Sequence, residues 1–260
     1  MTMTFFLHDS IQPNAPLDLI EHGAASRRAT GEFPILPDKL RMPDMDGLIE
    51  RERLHTLLER SRTQFPATLI SGRAGTGKTA LAASFARAAE RSSWYTVETT
   101  DVDWSVFSRY FSQCLAAAGF GDSAKAVAYE PQNEIAAFLA KRLMRPEPAR
   151  TNALIVLDDV HHIFDSDWFG EFFKLLLYSL PTNAHVLLLC RSKPPSPLWR
   201  LRSKQVLNVI DEDQLAFTTD EVAELFARHG RYDIGPEAAR IVAFGRAAKL
   251  VELAREGRAY

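Results

Sequence analysis

Cysteine is almost missing from this sequence: Cys114 and Cys190 are its only 2. Both lie inside apolar stretches, so neither a disulfide framework nor a cysteine-rich metal cluster is on offer, and a reducing compartment suits the chain. Net charge is just as scarce. With 31 Lys and Arg against 33 Asp and Glu the balance is −2, so no whole-protein field draws nucleic acid or an anionic membrane. No apolar run approaches the roughly 18 residues needed to cross a bilayer. The first residues include Phe5-Phe6-Leu7 but neither a charged start nor an extended apolar region, which excludes a secretory signal reading. Together these absences predict a cytoplasmic protein. What remains is an ordinary globular composition over 260 residues, 46% hydrophobic and 25% charged, enough for one sizeable core or for one domain with a smaller appendage.

The most informative stretch is Gly72-Arg73-Ala74-Gly75-Thr76-Gly77-Lys78-Thr79, preceded by the apolar run Ala67 to Ser71 and followed by Ala80-Leu81-Ala82-Ala83. It reads as strand, tight loop and helix. A glycine-rich loop entering a helix N-terminus aims several backbone N–H groups and the positive end of the helix dipole at one spot, where a triphosphate fits. Gly72 and Gly77 match the glycines of the P-loop pattern G-x-x-x-x-G-K-[ST]. Lys78 is then placed to reach the β- and γ-phosphates, and the Thr79 hydroxyl to complete the shell of a bound magnesium ion. Residues Gly72 through Ala80 form the nucleotide-binding loop in this reading.

A second signal is the continuous apolar run Ala153-Leu154-Ile155-Val156-Leu157, expected of a parallel strand covered on both faces, which ends in Asp158-Asp159. Two adjacent carboxylates at the end of a buried strand are costly unless something there needs negative charge. Magnesium and an attacking water supply that need, with Asp158 holding the metal shell and Asp159 orienting or deprotonating the water. Aspartates that merely cap the next helix are the bland alternative. His161 and His162 follow; without further ligand spacing they read as structural and receive no metal. A later buried strand, His185 to Cys190, ends in Arg191, which is either a sensor of the γ-phosphate or a surface arginine.

Around these motifs the chain alternates strands and helices. Residues 1–34 lack a sustained period and read as a flexible arm. A helix is expected from Gly47 to about Arg62, with Arg51 and Arg53 either on its solvated face or in contact with nucleotide. Strand composition recurs at Ser93 to Glu98, and Asp103 reads as the N-cap of a helix whose stripe of Trp104, Phe107, Phe111 and Leu115 is core packing. A looser piece spans Gly119 to Gln132, then a helix runs to about Met144 and is stopped by Pro146 and Pro148. A helix carrying Phe169, Phe172 and Phe173, a short helix at Leu198 to Ser203 and a last strand at Gln205 to Ile210 complete the α/β part. Beyond Asp211 the pattern is purely helical, opening with a capping-box spacing from Thr218 to Glu221. The expected organisation is an arm over 1–34, a P-loop nucleotide-binding domain over 35–211, and a helical lid, or the start of a second domain, over 212–260. The fold class is an α/β P-loop NTPase of the additional-strand, AAA-like division, with a five-stranded parallel sheet in the order 5-1-4-3-2.

The chain resembles the nucleotide-binding module of the STAND class of regulatory ATPases, and within it the MalT-like (LuxR-family) transcriptional regulators. The resemblance spans residues from about 36 to 253. It rests on Asp38-Lys39-Leu40, Arg51-Glu52-Arg53-Leu54, the P-loop with Ile70-Ser71 before it, Trp94-Tyr95, Leu157-Asp158-Asp159-Val160-His161, Leu189-Cys190-Arg191-Ser192-Lys193-Pro194-Pro195, Leu201-Arg202 and Leu215-Ala216-Phe217-Thr218. It implies ATP or ADP with Mg²⁺ as ligands, a nucleotide contact at Arg51, a sensor role for Arg191, and a protein partner or self-association on nucleotide exchange. Two departures stand out: Glu50 occupies a usual glycine position before Arg51, and Gly245-Arg246-Ala247 stands where the lid usually carries Gly-x-Pro. The 260 residues contain neither the long helical-repeat sensor nor the DNA-binding helix-turn-helix of those regulators, which fits a stand-alone relative or one module of something larger. The expected function is a regulatory switch that binds ATP and hydrolyses it slowly, Asp159 being one methylene shorter than the glutamate of many fast relatives. A conventional AAA-like ATPase or phosphotransferase and a non-hydrolysing interaction module are the alternatives. Arg200 and Arg202 become arginine-finger candidates only on self-association.

Overall fold

The computed structural model describes residues 35–45, 49–121, 134–143 and 152–256. The expected arm, most of the 119–132 piece, the Pro146 and Pro148 stop and the last four residues of the expected lid lie outside the described residues.

Five strands, β1 (Ala67–Ser71), β2 (Arg91–Thr96), β3 (Ala153–Asp158), β4 (Ala184–Cys190) and β5 (Leu207–Ile210), pair in parallel in the order β2-β3-β4-β1-β5. Read from the other edge this is the expected 5-1-4-3-2. Every residue of β3 and β4 is buried, as central strands with both faces covered require. Alternate residues serve different layers. Ile155, Leu157, Val186 and Leu188 pack with Phe107, Phe111, Phe172 and Phe173, which belong to α3 (Trp104–Ala117) and α5 (Phe169–Ser179). Leu154, Val156, Leu187 and Leu189 pack against Leu54 and Leu58 of α1 (Glu52–Gln64) and against Leu81 and Phe85 of α2 (Lys78–Ala88). Helix α4 (Glu134–Leu143) lies against α5, and α6 (Ser196–Ser203) precedes β5. The aromatic stripe is core, as its spacing indicates: Phe107 stacks on Phe111 at 5.6 Å between ring centroids and meets Phe172 edge-on at 5.0 Å.

A third, smaller core joins α8 (Thr219–Arg228), α9 (Pro236–Val242) and α10 (Ala247–Glu256) through Val222, Leu225, Phe226, Ala239 and Leu250. The Thr218–Glu221 capping box is formed, and Gly245, at φ +65°, turns the chain between α9 and α10.

Several element boundaries differ from expectation. Helix α1 begins at Glu52, later than the expected start near Gly47: Ile49 is drawn into the third core and the backbone of residues 49–51 is non-helical. Strand β2 starts at Arg91, paired with Ala153, and stops early because Glu98 becomes the N-cap of a 3₁₀ turn whose Asp101 answers it in a reciprocal capping box. Strand β5 starts late because Gln205 takes a left-handed φ of 56°. Between β5 and α8 lies an unanticipated one-turn helix, α7 (Glu212–Leu215), closed by a capping box between Asp211 and Gln214.

Candidate functional site

The P-loop lies between β1 and α2 and at the C-terminal edge of the sheet. Gly75 and Gly77 have φ of +79° and +90°, a left-handed conformation that costs glycine little and other residues about 1 kcal/mol or more. Lys78 is buried, and its Nζ donates to the carbonyls of Gly72 at 2.5 Å and Arg73 at 2.9 Å. Burial holds its ammonium below the usual lysine range. The Thr76 hydroxyl donates to Arg73 O at 2.9 Å, closing the loop on itself.

The distant acids arrive at the same place. Thr79 Oγ1 donates to Asp158 Oδ2 at 3.0 Å, so the P-loop helix and the end of β3 are in direct contact. Asp158 is 5% exposed. Burial, and next the charge of Asp159, push its carboxyl up to about 6, although the Thr79 hydroxyl and the Asp159 backbone N–H both favour the ionised form. Asp159 sits at φ 56°, unusual for a residue with a side chain and tolerated best by Asp and Asn. Its two oxygens are both taken by Arg191, at 3.0 Å from Nε and 2.8 Å from Nη2. Arg191, at the end of β4, is 53% exposed as a side chain. His161, in the turn Val160–Ile163, places Nδ1 3.8 Å from Asp159 Oδ1.

The other rim of the loop is held by the C-terminal helices. Glu212 of α7 accepts the Arg73 backbone N–H at 2.9 Å and also its guanidinium at 2.7 Å. The Ala248 N–H at the start of α10 donates to Gly75 O at 2.9 Å, and Arg246 Nη2 donates to Ala74 O at 2.6 Å. Arg51, which the sequence leaves either on a solvated face or in contact with nucleotide, is buried: its guanidinium donates to Leu215 O at 2.9 Å, Ala216 O at 3.0 Å and Glu221 at 2.8 Å, and packs 4.0 Å from the centre of the Phe217 ring. Burial lowers its affinity for protons despite the Glu221 partner. Arg53, more exposed, reaches Gln214 O and Ala216 O. Beside these groups a cavity of about 150 Å³ opens between α1, α2, α8 and α10, lined by Ile49, His55, Ala80, Leu81, Phe217 and Val251, with Arg51 and Gly77 at its wall. His55 and Ser84, 3.0 Å apart, supply its polar edge.

Thus the expected residues from Gly72 to Ala80, Asp158, Asp159 and Arg191 are gathered at one edge of the sheet, and Arg51 stands on the cavity side with its guanidinium directed to the C-terminal helices. Glu212, His55, Phe217 and Arg246 contribute contacts that motif spacing does not announce; of these the sequence singles out only Phe217, within the resemblance, and Arg246, as a departure from Gly-x-Pro. Hard oxygen donors from Thr79 and the buried Asp158 suit Mg²⁺, which is held by one or two protein oxygens completed by phosphate and water. Among the described residues no cluster of three or more His, Cys, Asp or Glu able to hold a metal alone occurs. Among the same residues no helix is long and apolar enough to cross a membrane.

Comparison with known proteins agrees with this geometry. The chain is 29% identical over 196 residues to the HTH-type transcriptional regulator MalT of Serratia proteamaculans, covering 74% of this chain and 22% of that protein. It is 28% identical over 195 residues to the MalT of Vibrio parahaemolyticus, covering 74% and 21%. It therefore spans about a fifth of the length of these curated relatives. Among solved structures it is similar to a signal transduction ATPase with numerous domains (STAND) protein carrying a tetratricopeptide repeat sensor, from Pyrococcus horikoshii, with a TM-score of 0.54 at 20% identity over 79% of this chain and 29% of that one; this likeness is one of fold. A family model described as AAA ATPase domain matches residues 49–189, which run from the cavity wall through the P-loop and the Asp158-Asp159 pair to the end of β4. The P-loop, the parallel sheet around it and this match agree: the chain belongs to the AAA ATPase domain family.

Proposed function

We propose that this chain is an ATP- and Mg²⁺-binding regulatory switch that hydrolyses ATP slowly, its C-terminal helices reporting which nucleotide is bound. The observation that carries the reading is the contact between Thr79 and Asp158, 79 positions apart in sequence and 3.0 Å apart in space. It brings an anion-seeking loop and an acid pair, one member of it buried, to one point, as a metal-bound triphosphate requires. The base would lie in the cavity between α1 and α10, and the phosphates would run along the loop toward Lys78. Magnesium held by Thr79 and Asp158 would neutralise charge developing on the phosphate oxygens. Lys78 would exchange its carbonyl partners for phosphate oxygens, and Asp159 would orient the attacking water. The C-terminal helices suit the reporting role because they touch the loop directly: Ala248 N–H bonds Gly75 O, Arg246 bonds Ala74 O and Glu212 bonds Arg73. A phosphate entering the loop changes what those contacts rest on. A regulatory role in the manner of the MalT relatives, with a protein partner or a second copy engaged on nucleotide exchange, follows by similarity.

The test is to release and identify any nucleotide that copurifies, then measure ATP affinity with and without Mg²⁺ in the wild type and in Lys78→Ala. Adenine nucleotide on the protein and a loss of at least about tenfold in affinity in the variant are expected, one charged hydrogen bond being worth about 1.5–3 kcal/mol. Equal affinities in the two proteins would remove the proposed site.

A further inference from the structure

We propose that His161 is a positioning residue for the water-activating carboxylate: it takes over Asp159 when a γ-phosphate draws Arg191 away. This rests on the ATPase reading above and concerns a side chain that the sequence marks only as structural.

Three observations lead to it. First, His161 Nδ1 is buried and has no hydrogen-bond partner. Such an orphan costs about 1–3 kcal/mol and asks for a reason. Second, Asp159 Oδ1 stands 3.8 Å away, too far for a hydrogen bond in this arrangement and close enough that a shift of about 1 Å would make one. Third, Asp159 holds a left-handed backbone at φ 56°, a strain that tends to be kept where mechanism uses it.

The competition for Asp159 decides the order of events. Arg191 currently binds both carboxylate oxygens. Arg191 is 53% exposed, so water already competes for its guanidinium and its grip on Asp159 is a modest one. A γ-phosphate brings more negative charge and three acceptor oxygens, and guanidinium matches it well. With Arg191 drawn toward phosphate, Asp159, itself only 18% exposed as a side chain, would be left without a donor. The Nδ1–H of His161 is placed to fill that role through one oxygen, leaving the other free for water. Burial and the neighbouring His162 ring, 4.3 Å away, hold His161 below the usual histidine range, so a neutral ring is the donor at pH 7. Without a γ-phosphate, Arg191 keeps both carboxylate oxygens occupied and no water is activated. The residue acts through Asp159: the proton of the attacking water passes to the carboxylate as the oxygen bonds to phosphorus and the bond to ADP breaks.

The test uses single-turnover ATP hydrolysis and ATP affinity in the full chain. His161→Leu, which keeps volume and loses the donor, is expected to slow hydrolysis about tenfold or more, with ATP affinity within about twofold of wild type. His161→Asn presents an amide N–H at the position of Nδ1 and is expected to recover the rate to within about threefold. In an Asp159→Asn background, His161→Leu should add nothing further, whereas a folding role would lower both backgrounds alike. An undiminished rate in His161→Leu overturns the inference, as does a folded His161→Asn as slow as the leucine variant, or additive losses in the double variant. A wild type that binds ATP and never hydrolyses it overturns it too. If Asp159→Asn abolishes hydrolysis while His161→Leu does not, only this inference fails; if Lys78→Ala leaves ATP binding intact, the ATPase reading itself falls.

Discussion

The two edges of the sheet bury polar groups in opposite ways. At the N-terminal edge, Asn208 Nδ2 donates to Ser61 at 2.9 Å, Ser61 and Thr68 are 2.5 Å apart, Thr68 and His185 Nε2 are 2.9 Å apart, and His185 Nδ1 reaches Phe65 O at 2.9 Å. A carbonyl only accepts, so Nδ1 carries the proton, Nε2 accepts from Thr68, and the chain runs in one direction from Asn208 to Phe65 with each member satisfied. At the C-terminal edge, an acid is pushed up to about 6 by burial, a second acid is strained, and a histidine nitrogen lacks a partner. One edge is arranged for stability, the other for a ligand that would complete it. The same sheet supports both because the satisfied edge tolerates the cost of the unsatisfied one.

The sharpest way to break that comparison is at Asp159. Asp159→Asn is expected to slow hydrolysis about 100-fold, in the range of a lost general base, while leaving ATP affinity and thermal stability near wild type; a large fall in melting temperature would make the C-terminal edge structural after all. The N-terminal edge should answer in stability instead. His185→Leu orphans the Thr68 hydroxyl and the Phe65 carbonyl and is expected to cost about 2–4 kcal/mol in denaturant unfolding, with ATP affinity retained.

The two edges also titrate in opposite senses. Burial pushes His185 down to about 4, so the unfolded chain binds its proton first as the pH falls through 6.5. Stability from this group is complete above pH 6.5 and declines by about 3 kcal/mol on the way to pH 4. Burial pushes Asp158 up to about 6, so the folded chain keeps that proton longer than the unfolded one. This group costs stability above pH 6, and about 3 kcal/mol of that cost is relieved as the pH falls toward 4. In the nucleotide-free chain the two slopes oppose each other between pH 4 and 6. Asp158→Asn should raise stability at pH 7 by about 2 kcal/mol, expose the histidine slope, and weaken Mg²⁺-dependent ATP binding; an unfolding curve with unchanged pH dependence would refute the contrast. The smallest effect is expected at the loop's other rim, where Arg246→Ala removes one largely solvent-facing hydrogen bond and should cost under about 1 kcal/mol of stability.

What sequence made legible was whatever depends on local spacing or continuous burial. The P-loop is a contiguous pattern, the β3 run is apolar throughout because both its faces are covered, and the Asp103 and Thr218 caps are set by neighbours within three residues; all of these appear in the fold. What stayed hidden depends on partners far along the chain. Arg51 is buried only because the carbonyls of Leu215 and Ala216 come to meet it. Glu212 matters through Arg73, 139 positions away, and no periodicity marks such a pair. The left-handed turns at Gln205 and Asp159 are invisible too, because side chains at such positions give no strong compositional sign.

The glycines of the loop have a second neighbour besides any phosphate. A methyl group added at Gly75 would come within 2.9 Å of the Ala248 side chain, and one at Gly77 within 3.1 Å of Ala247. Smallness is therefore demanded on both sides of one seam, by two glycines and two alanines facing each other. Enlarging Ala248 would wedge the first turn of α10 off the loop without deleting a charge or a hydrogen-bonding side chain, a purely steric means of propping the molecule open.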